Sequence, residues 1–238
     1  MLFTIVTATF NAGRHIERNV RSVVAQQCDV QHLIIDNCST DGTLERVRAC
    51  QSPHVEIFSE KDAGIYDAFN KGIAHARGDV ISFLNADDYY LDGALRAVQE
   101  IFERDSNVAC VHGNIQIERG GKLLALRPRS GLGSYGGARV FHPAFFSRRA
   151  ALERVGRFNV SYRIAADFDF FLRARKEFTF HHLDQPLTHF TLGGLSTRQR
   201  FLATNEVCAI ARAHGFGTVH TGLVWVVEMG IKLVGSLR

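Results

Sequence analysis

The chain has 238 residues, 46% of them hydrophobic, and carries 28 Lys and Arg against 24 Asp and Glu. That length and hydrophobicity suit one large domain with ample core and exclude a disordered chain. A net charge of +4 is too small to imply nucleic-acid binding. Cys28, Cys38, Cys50, Cys110 and Cys208 form an odd set with no Cys-x-x-Cys pair. Neither a disulfide framework nor a structural zinc site is expected, and a reducing cytoplasm fits. The opening MLFTIVTATFNAGRH lacks the basic segment and long apolar run of a signal peptide.

Short β-branched runs at Leu2–Ala8, His32–Ile35, Val55–Phe58, Val80–Leu84 and Val108–Val111 read as buried strands. Between them, Arg14–Gln27, Asp41–Cys50, Ile65–Ala76 and Leu91–Glu103 place apolar residues three and four apart, as helices do. This alternation predicts an α/β fold, with a mostly parallel sheet flanked by helices on both faces. After Val111 the rhythm changes. Ile115–Glu118 and Lys122–Leu126, joined by Arg119-Gly120-Gly121, predict a hairpin. A glycine-rich loop at Gly131–Gly137 and short helices near Ser147–Val155 and Asp167–Lys176 follow, then a last short strand ending near His189. Thr218–Arg238 is an apolar segment interrupted by Glu228 and Lys232, and its uncharged run is too short to span a bilayer. A helix lying on a membrane surface and a packed core helix are both open readings.

Charge is unevenly placed. From Arg119 to Lys176 there are 13 Lys and Arg and only three acids, Glu153, Asp167 and Asp169. Such a stretch suits an anionic partner, phosphates or a lipid surface, or an ordinary solvated surface.

In a parallel sheet, ligands sit beyond the carboxyl ends of the strands. Strand one ends in Thr7-Ala8-Thr9-Phe10-Asn11, the second in Asp36-Asn37-Cys38-Ser39, and the fourth in Asn85-Ala86-Asp87-Asp88. Small polar groups and one carboxylate suit a nucleobase and ribose. Adjacent carboxylates suit a hard divalent cation that bridges a diphosphate. Asp36 and Asp87-Asp88 also make sense as turn and helix caps. No Gly-x-Gly-x-x-Gly follows strand one and no P-loop motif occurs, which disfavours dinucleotide binding and ordinary P-loop chemistry.

The runs TIVTATFN, IIDNCSTDGT and SEKDAGIYDAFNKGIAHARGDVISFLNADD, in that order, resemble the donor half of the family 2 inverting nucleotide-sugar glycosyltransferases. The resemblance extends to about Phe190 and is narrowest to small bacterial enzymes of capsule, exopolysaccharide or O-antigen assembly. It implies the GT-A fold and a donor half over residues 1–114. An acceptor-side half that carries the catalytic base spans 115–217, and an amphipathic C-terminal helix spans 218–238. It implies a nucleoside-diphosphate sugar donor, UDP-linked, and a glycan or polyprenyl-pyrophosphate-linked acceptor, with no nucleic acid. The implied setting is cytoplasmic, peripheral on the plasma membrane.

By the same resemblance, Thr7, Thr9 and Asn11 lie beside the nucleotide, and Asp36 contacts the base. Asp62, Asp67 and Asn70 form the donor-side helix motif, although Asp67 and Lys71 would also pair as an ordinary surface ion pair. Asn85 and Asp87 meet the ribose, while Asp88 and Asp87, with His189, hold Mg2+ or Mn2+. Asn85 stands where many relatives have Asp. Asp167 matches the base that deprotonates the acceptor hydroxyl, and Ala166 replaces the acid that precedes it. His142-Pro143 falls on the acceptor-side loop, and Gly193-Gly194 could hinge a closing loop. Asn85 and Ala166 keep a rival reading open, a non-catalytic donor- or lipid-binding partner. A sugar nucleotidyltransferase is the other rival, although Thr9–Arg14 is a poor version of its glycine-rich loop.

Overall fold

The structure, a computed structural model, describes residues 1–128, 135–138, 140–194 and 198–235, with side chains to 228. Most of the expected loop at Gly131–Gly137 lies outside the described residues, as do the side chains of Met229, Ile231, Lys232, Leu233 and Val234.

Strands β1 (Phe3–Thr9), β2 (Val30–Asp36), β3 (Val55–Ser59) and β4 (Val80–Phe83) alternate with helices α1 (Ile16–Val24), α2 (Thr43–Ala49) and α3 (Ile65–His75). They pair in parallel in the order β3-β2-β1-β4, with Thr9 beside Asp36 and Asp36 beside Ser59. Three polar strand ends therefore share one rim. The pleat sorts the apolar residues by face. Val6 joins a core with Leu33, Ile35 and Phe69 of α3, whereas Phe3 and Ile5 join the opposite core with Leu95 and Val98 of α4 (Ala94–Arg104).

Beyond β4 the sheet turns antiparallel. The two-residue β5 (Tyr89–Tyr90) is followed, after α4, by β6 (Cys110–Arg119) and β7 (Lys122–Leu126). A 3-10 turn at His142–Ala144 leads into β8 (Phe145–Arg148), which lies between β4 and β6. The expected helix from Ser147 starts only at Arg149, as α5 (Arg149–Val155), because Phe145 and Phe146 are taken into the two opposite cores of the sheet. The expected strand at Val108–Val111 and the first hairpin arm merge into the single ten-residue β6, which crosses position 114/115. Helix α6 (Ala166–Glu177) precedes β9 (Phe180–His189), ten residues long and parallel to β6. Helices α7 (Arg200–Ala213) and α8 (Thr218–Gly235) pack together at the end of the chain.

Candidate active site

The β1–β2 rim is built from short side chains that satisfy one another. Asp36 is 0% exposed, and its carboxylate accepts the Ser39 N–H at 3.0 Å and the Ser59 hydroxyl at 2.7 Å. The Ser39 hydroxyl reaches its other oxygen at 2.5 Å and accepts the Asn11 N–H at 2.8 Å. Asn11 Oδ1 in turn accepts the Thr40 N–H at 2.9 Å. Asp36 thus shapes the loop from within. Beside it, Asn37 Oδ1 accepts the Asp62 N–H at 3.1 Å, which brings Asp62 onto the same rim. Burial, the largest influence, pushes the Asp62 carboxyl up. Thr9 Oγ1 is buried with no partner among the described residues, and a ligand atom would satisfy it. Thr7 is turned inward: its hydroxyl lies 2.9 Å from His32 Nε2, with burial driving the His32 imidazole down to about 3.

Two residues expected at the donor helix are occupied elsewhere. Asn70 donates to Phe158 O at 3.0 Å and accepts the Phe158 N–H at 2.9 Å, which ties α3 to the segment after α5. Asp67 accepts the Ala63 N–H at 3.1 Å, capping α3, and pairs with Lys71 at 3.6 Å.

At the end of β4, Asp88 is 1% exposed. Its Oδ1 accepts the Thr191 N–H at 2.9 Å and its Oδ2 accepts the Asn85 amide at 3.1 Å. Asn19 of α1, which the sequence reading did not single out, donates to Asn85 O at 2.9 Å and Asp88 O at 3.0 Å. Burial first, and the adjacent Asp87 second, push the Asp88 carboxyl up to about 7. Asn85 Oδ1 is buried without a partner among the described residues. A half-exposed carboxylate, a buried one and an orphaned carbonyl oxygen fit a hard divalent cation. His189 does not join them. Its ring stacks on Tyr89 at 4.5 Å, and among the described residues no three His, Cys, Asp or Glu gather as a metal cluster. The Gly193-Gly194 turn runs past Asp87, with a side chain at Gly194 meeting Asp87 Oδ2 at 3.8 Å.

Asp167 opens α6. Its Oδ1 accepts the Phe168 N–H at 2.8 Å and lies 3.1 Å from the Tyr66 hydroxyl, and its Oδ2 lies 3.4 Å from His142 Nδ1. Tyr66 also donates to Ile164 O at 2.6 Å. Burial and the neighbouring Asp167 hold the Tyr66 phenol well above its usual range, so it stays a donor. Glu206 of α7 accepts the Arg163, Ile164 and Ala165 N–H groups, each at 2.9 Å, and so anchors the turn that presents Asp167. Ala166, where the resemblance expects an acid, is 0% exposed in the core, so this position does not face solvent in this chain. Asp169 is bound to Arg173 at 3.0 Å and His214 at 2.9 Å.

Comparison with known proteins gives concordant results. The description "Glycosyl transferase family 2" matches residues 4–204. An uncharacterised glycosyltransferase of Mycobacterium tuberculosis is 31% identical over 188 residues, 72% of this chain and 68% of that protein. A PGL/p-HBAD biosynthesis glycosyltransferase of Mycobacterium bovis is 30% identical over 189 residues, 72% of this chain and 69% of that protein. Among solved structures, S. aureus TarS 1-349 in complex with UDP-GlcNAc superimposes with a TM-score of 0.74 at 16% identity, covering 96% of this chain and 72% of that one. The mannosyltransferase PcManGT of Pyrobaculum calidifontis, in complex with GDP-Man and Mn2+, gives 0.72 at 17%, covering 99% and 74%. The fold is therefore the GT-A glycosyltransferase fold.

The buried Asp88 generates a prediction whose sign is fixed. A carboxyl raised on folding favours the folded state at low pH, and that advantage is lost as pH rises toward about 7. Without metal, Asp88→Asn is expected to raise the melting temperature at pH 8 by roughly 2–4 °C, the equivalent of about 1 kcal/mol, and by clearly less at pH 5, where only part of the advantage has been lost. The Mn2+-induced stabilisation of the wild type should vanish in the variant. Thermal unfolding at the two pH values, with and without Mn2+, checks this; equal shifts at both would refute it.

Proposed function

The chain belongs to glycosyl transferase family 2, and we propose that it transfers a sugar, with inversion, from a nucleoside-diphosphate sugar to a hydroxyl of a glycan or lipid-linked acceptor. UDP is the proposed nucleotide. The observation that carries this reading is a cation-fitting carboxylate pair, Asp87-Asp88, and a held but partly open carboxylate, Asp167, linked through His142, which lies 3.4 Å from Asp167 and near enough to Asp88 to favour its ionised form. The family match leaves no support for the nucleotidyltransferase alternative.

In the proposed mechanism, Thr9, Asn11, Asn37 and Asp62 bind the nucleoside, with Asp36 holding their loop in shape. Asp88 and Asp87 would hold Mg2+ or Mn2+, whose chemistry there is to neutralise charge gathering on the departing diphosphate. His189 is left out of that ligand set because its ring lies on Tyr89. Thr7, Asp67 and Asn70 keep structural roles. Asp167 accepts the acceptor hydroxyl proton as the oxygen bonds to the anomeric carbon, and the bond to the diphosphate breaks with its electron pair on the diphosphate oxygen. Tyr66 and the Phe168 N–H fix one oxygen of that base, so its orientation is set before the reaction.

The acceptor is proposed to reside on a lipid. Val219, Leu223, Val226 and Val227 of α8 form a stripe at helical spacing, each more than half exposed, on a helix whose opposite side buries Thr221, Val224 and Glu228. No described helix is long and apolar enough to cross a membrane, so the stripe is proposed to lie on the surface of an anionic one.

Asp167→Asn is expected to cut kcat by about 10²–10⁴-fold, the usual contribution of a general base, while the affinity for the nucleotide stays unchanged. Steady-state kinetics with parallel nucleotide titration checks it; unchanged turnover removes Asp167 from the chemistry. The protein is also expected to co-sediment with phosphatidylglycerol vesicles, and Leu223→Glu/Val226→Glu to remain in the supernatant. Wild type in the supernatant at low salt would refute the membrane contact.

A further inference from the structure

His142, expected only on an acceptor-side loop, reaches Asp167 from a turn held between two strands. In the β4–β8 pairing Val80 faces Arg148, Ile81 faces Ser147 and Ser82 faces Phe146. The 3-10 turn that carries His142 precedes β8 and packs against β4, the strand that runs on to Asp87 and Asp88. The turn is fixed there from two sides. Thr188 Oγ1 donates to Pro143 O at 2.7 Å, and Ser82 Oγ donates to Phe145 O at 2.8 Å. Its ring stands beside Phe69 of α3, with centroids 6.2 Å apart. One end of the imidazole meets the base, with Nδ1 3.4 Å from Asp167 Oδ2. The other end, Nε2, is buried and has no partner among the described residues. A buried polar atom left without a partner calls for an explanation, and a bound substrate is one.

The two oxygens of Asp167 are held unequally. Oδ1 has the Phe168 N–H and the Tyr66 hydroxyl, whereas Oδ2 has only His142 among the described residues. A carboxylate pinned at one oxygen still rocks about its side-chain torsions. A base must present a lone pair to the acceptor oxygen within a narrow range of directions.

We infer that His142 is a positioning residue for the Asp167 base: its Nδ1–H holds Oδ2 on one lone pair and leaves the other for the acceptor proton. This rests on the reading of Asp167 as the base of a glycosyl transfer. The 3.4 Å separation shortens when substrate closes the site, as catalytic hydrogen bonds do. Nε2, on the far side of the ring, takes a polar atom of the bound acceptor.

The amide of asparagine reproduces the Nδ1 donor and that of glutamine reproduces the Nε2 one, so two conservative variants separate the two ends of the ring. The probe is nucleotide release from a panel of UDP- and GDP-sugars with Mn2+ and water as acceptor, using the donor that the wild type turns over fastest. His142→Phe is expected to lower kcat by about 10- to 100-fold, the usual cost of losing a group that orients a reacting one, with KM for the donor changed less than threefold. His142→Asn is expected to recover most of that loss and His142→Gln little of it. In an Asp167→Asn background, His142→Phe should cost nothing further, as for residues that act as one unit. Full recovery by Gln rather than Asn, or an undiminished cost in the Asp167→Asn background, overturns the positioning role and leaves the transferase reading intact. A wild type that turns over no donor of the panel overturns both.

Discussion

The whole site hangs on a carboxylate kept almost entirely from water at the end of β4. Asp88 is 1% exposed beside a second acid, and burial with that neighbour drives its carboxyl up to about 7. Such a group is tolerated because three elements converge to hold it. Asn19 of α1 grips the backbone on either side of Ala86. Asn85 supplies an amide, and Thr191, just past β9, gives its N–H to Asp88 and its hydroxyl to Asp87 O at 2.6 Å. The parallel part of the sheet and the part beyond it are thereby joined at this acidic pair. Ionising this buried pair without a cation costs stability.

The parallel half was legible in the sequence. Its strands are β-branched runs, its helices carry apolar residues three and four apart, and its polar strand ends fall on one rim as expected. The second half was harder to read. β8 is four residues, Phe-Phe-Ser-Arg, too short to display alternation, and its strand identity comes from the slot between β4 and β6 that it fills. β9 is polar along most of its length, because much of it lies near the surface, and α7 offered no capping signal. Thr204, Cys208 and Ala211 in α7, spaced four and three apart and all buried, were the available clue.

Residue roles were legible at the level of motif and less so at the level of contact. Thr7 belongs to the β1–β2 rim by sequence order, yet the pleat sends its hydroxyl to His32 inside the sheet. Asn70 looked like a donor contact and instead clamps Phe158, a partner 88 residues away that no local pattern predicts. Glu206, and the contacts that His142 and Tyr66 make, were hidden for the same reason. Each acts on the Asp167 region through a contact between segments that are distant in the chain. Local sequence specified the chemistry available, and tertiary packing decided which side chains were left to use it.

The most direct test of this account is a crystal structure of the protein with UDP and Mn2+. The account predicts the uracil against Thr9, Asn37 and Asp62, the metal on Asp88 or Asp87, and Asp167 open toward the space where the sugar would lie. A nucleotide bound away from the β1–β2 rim, or an Asp88 still bonded only to Thr191 and Asn85 with the metal elsewhere, would contradict it.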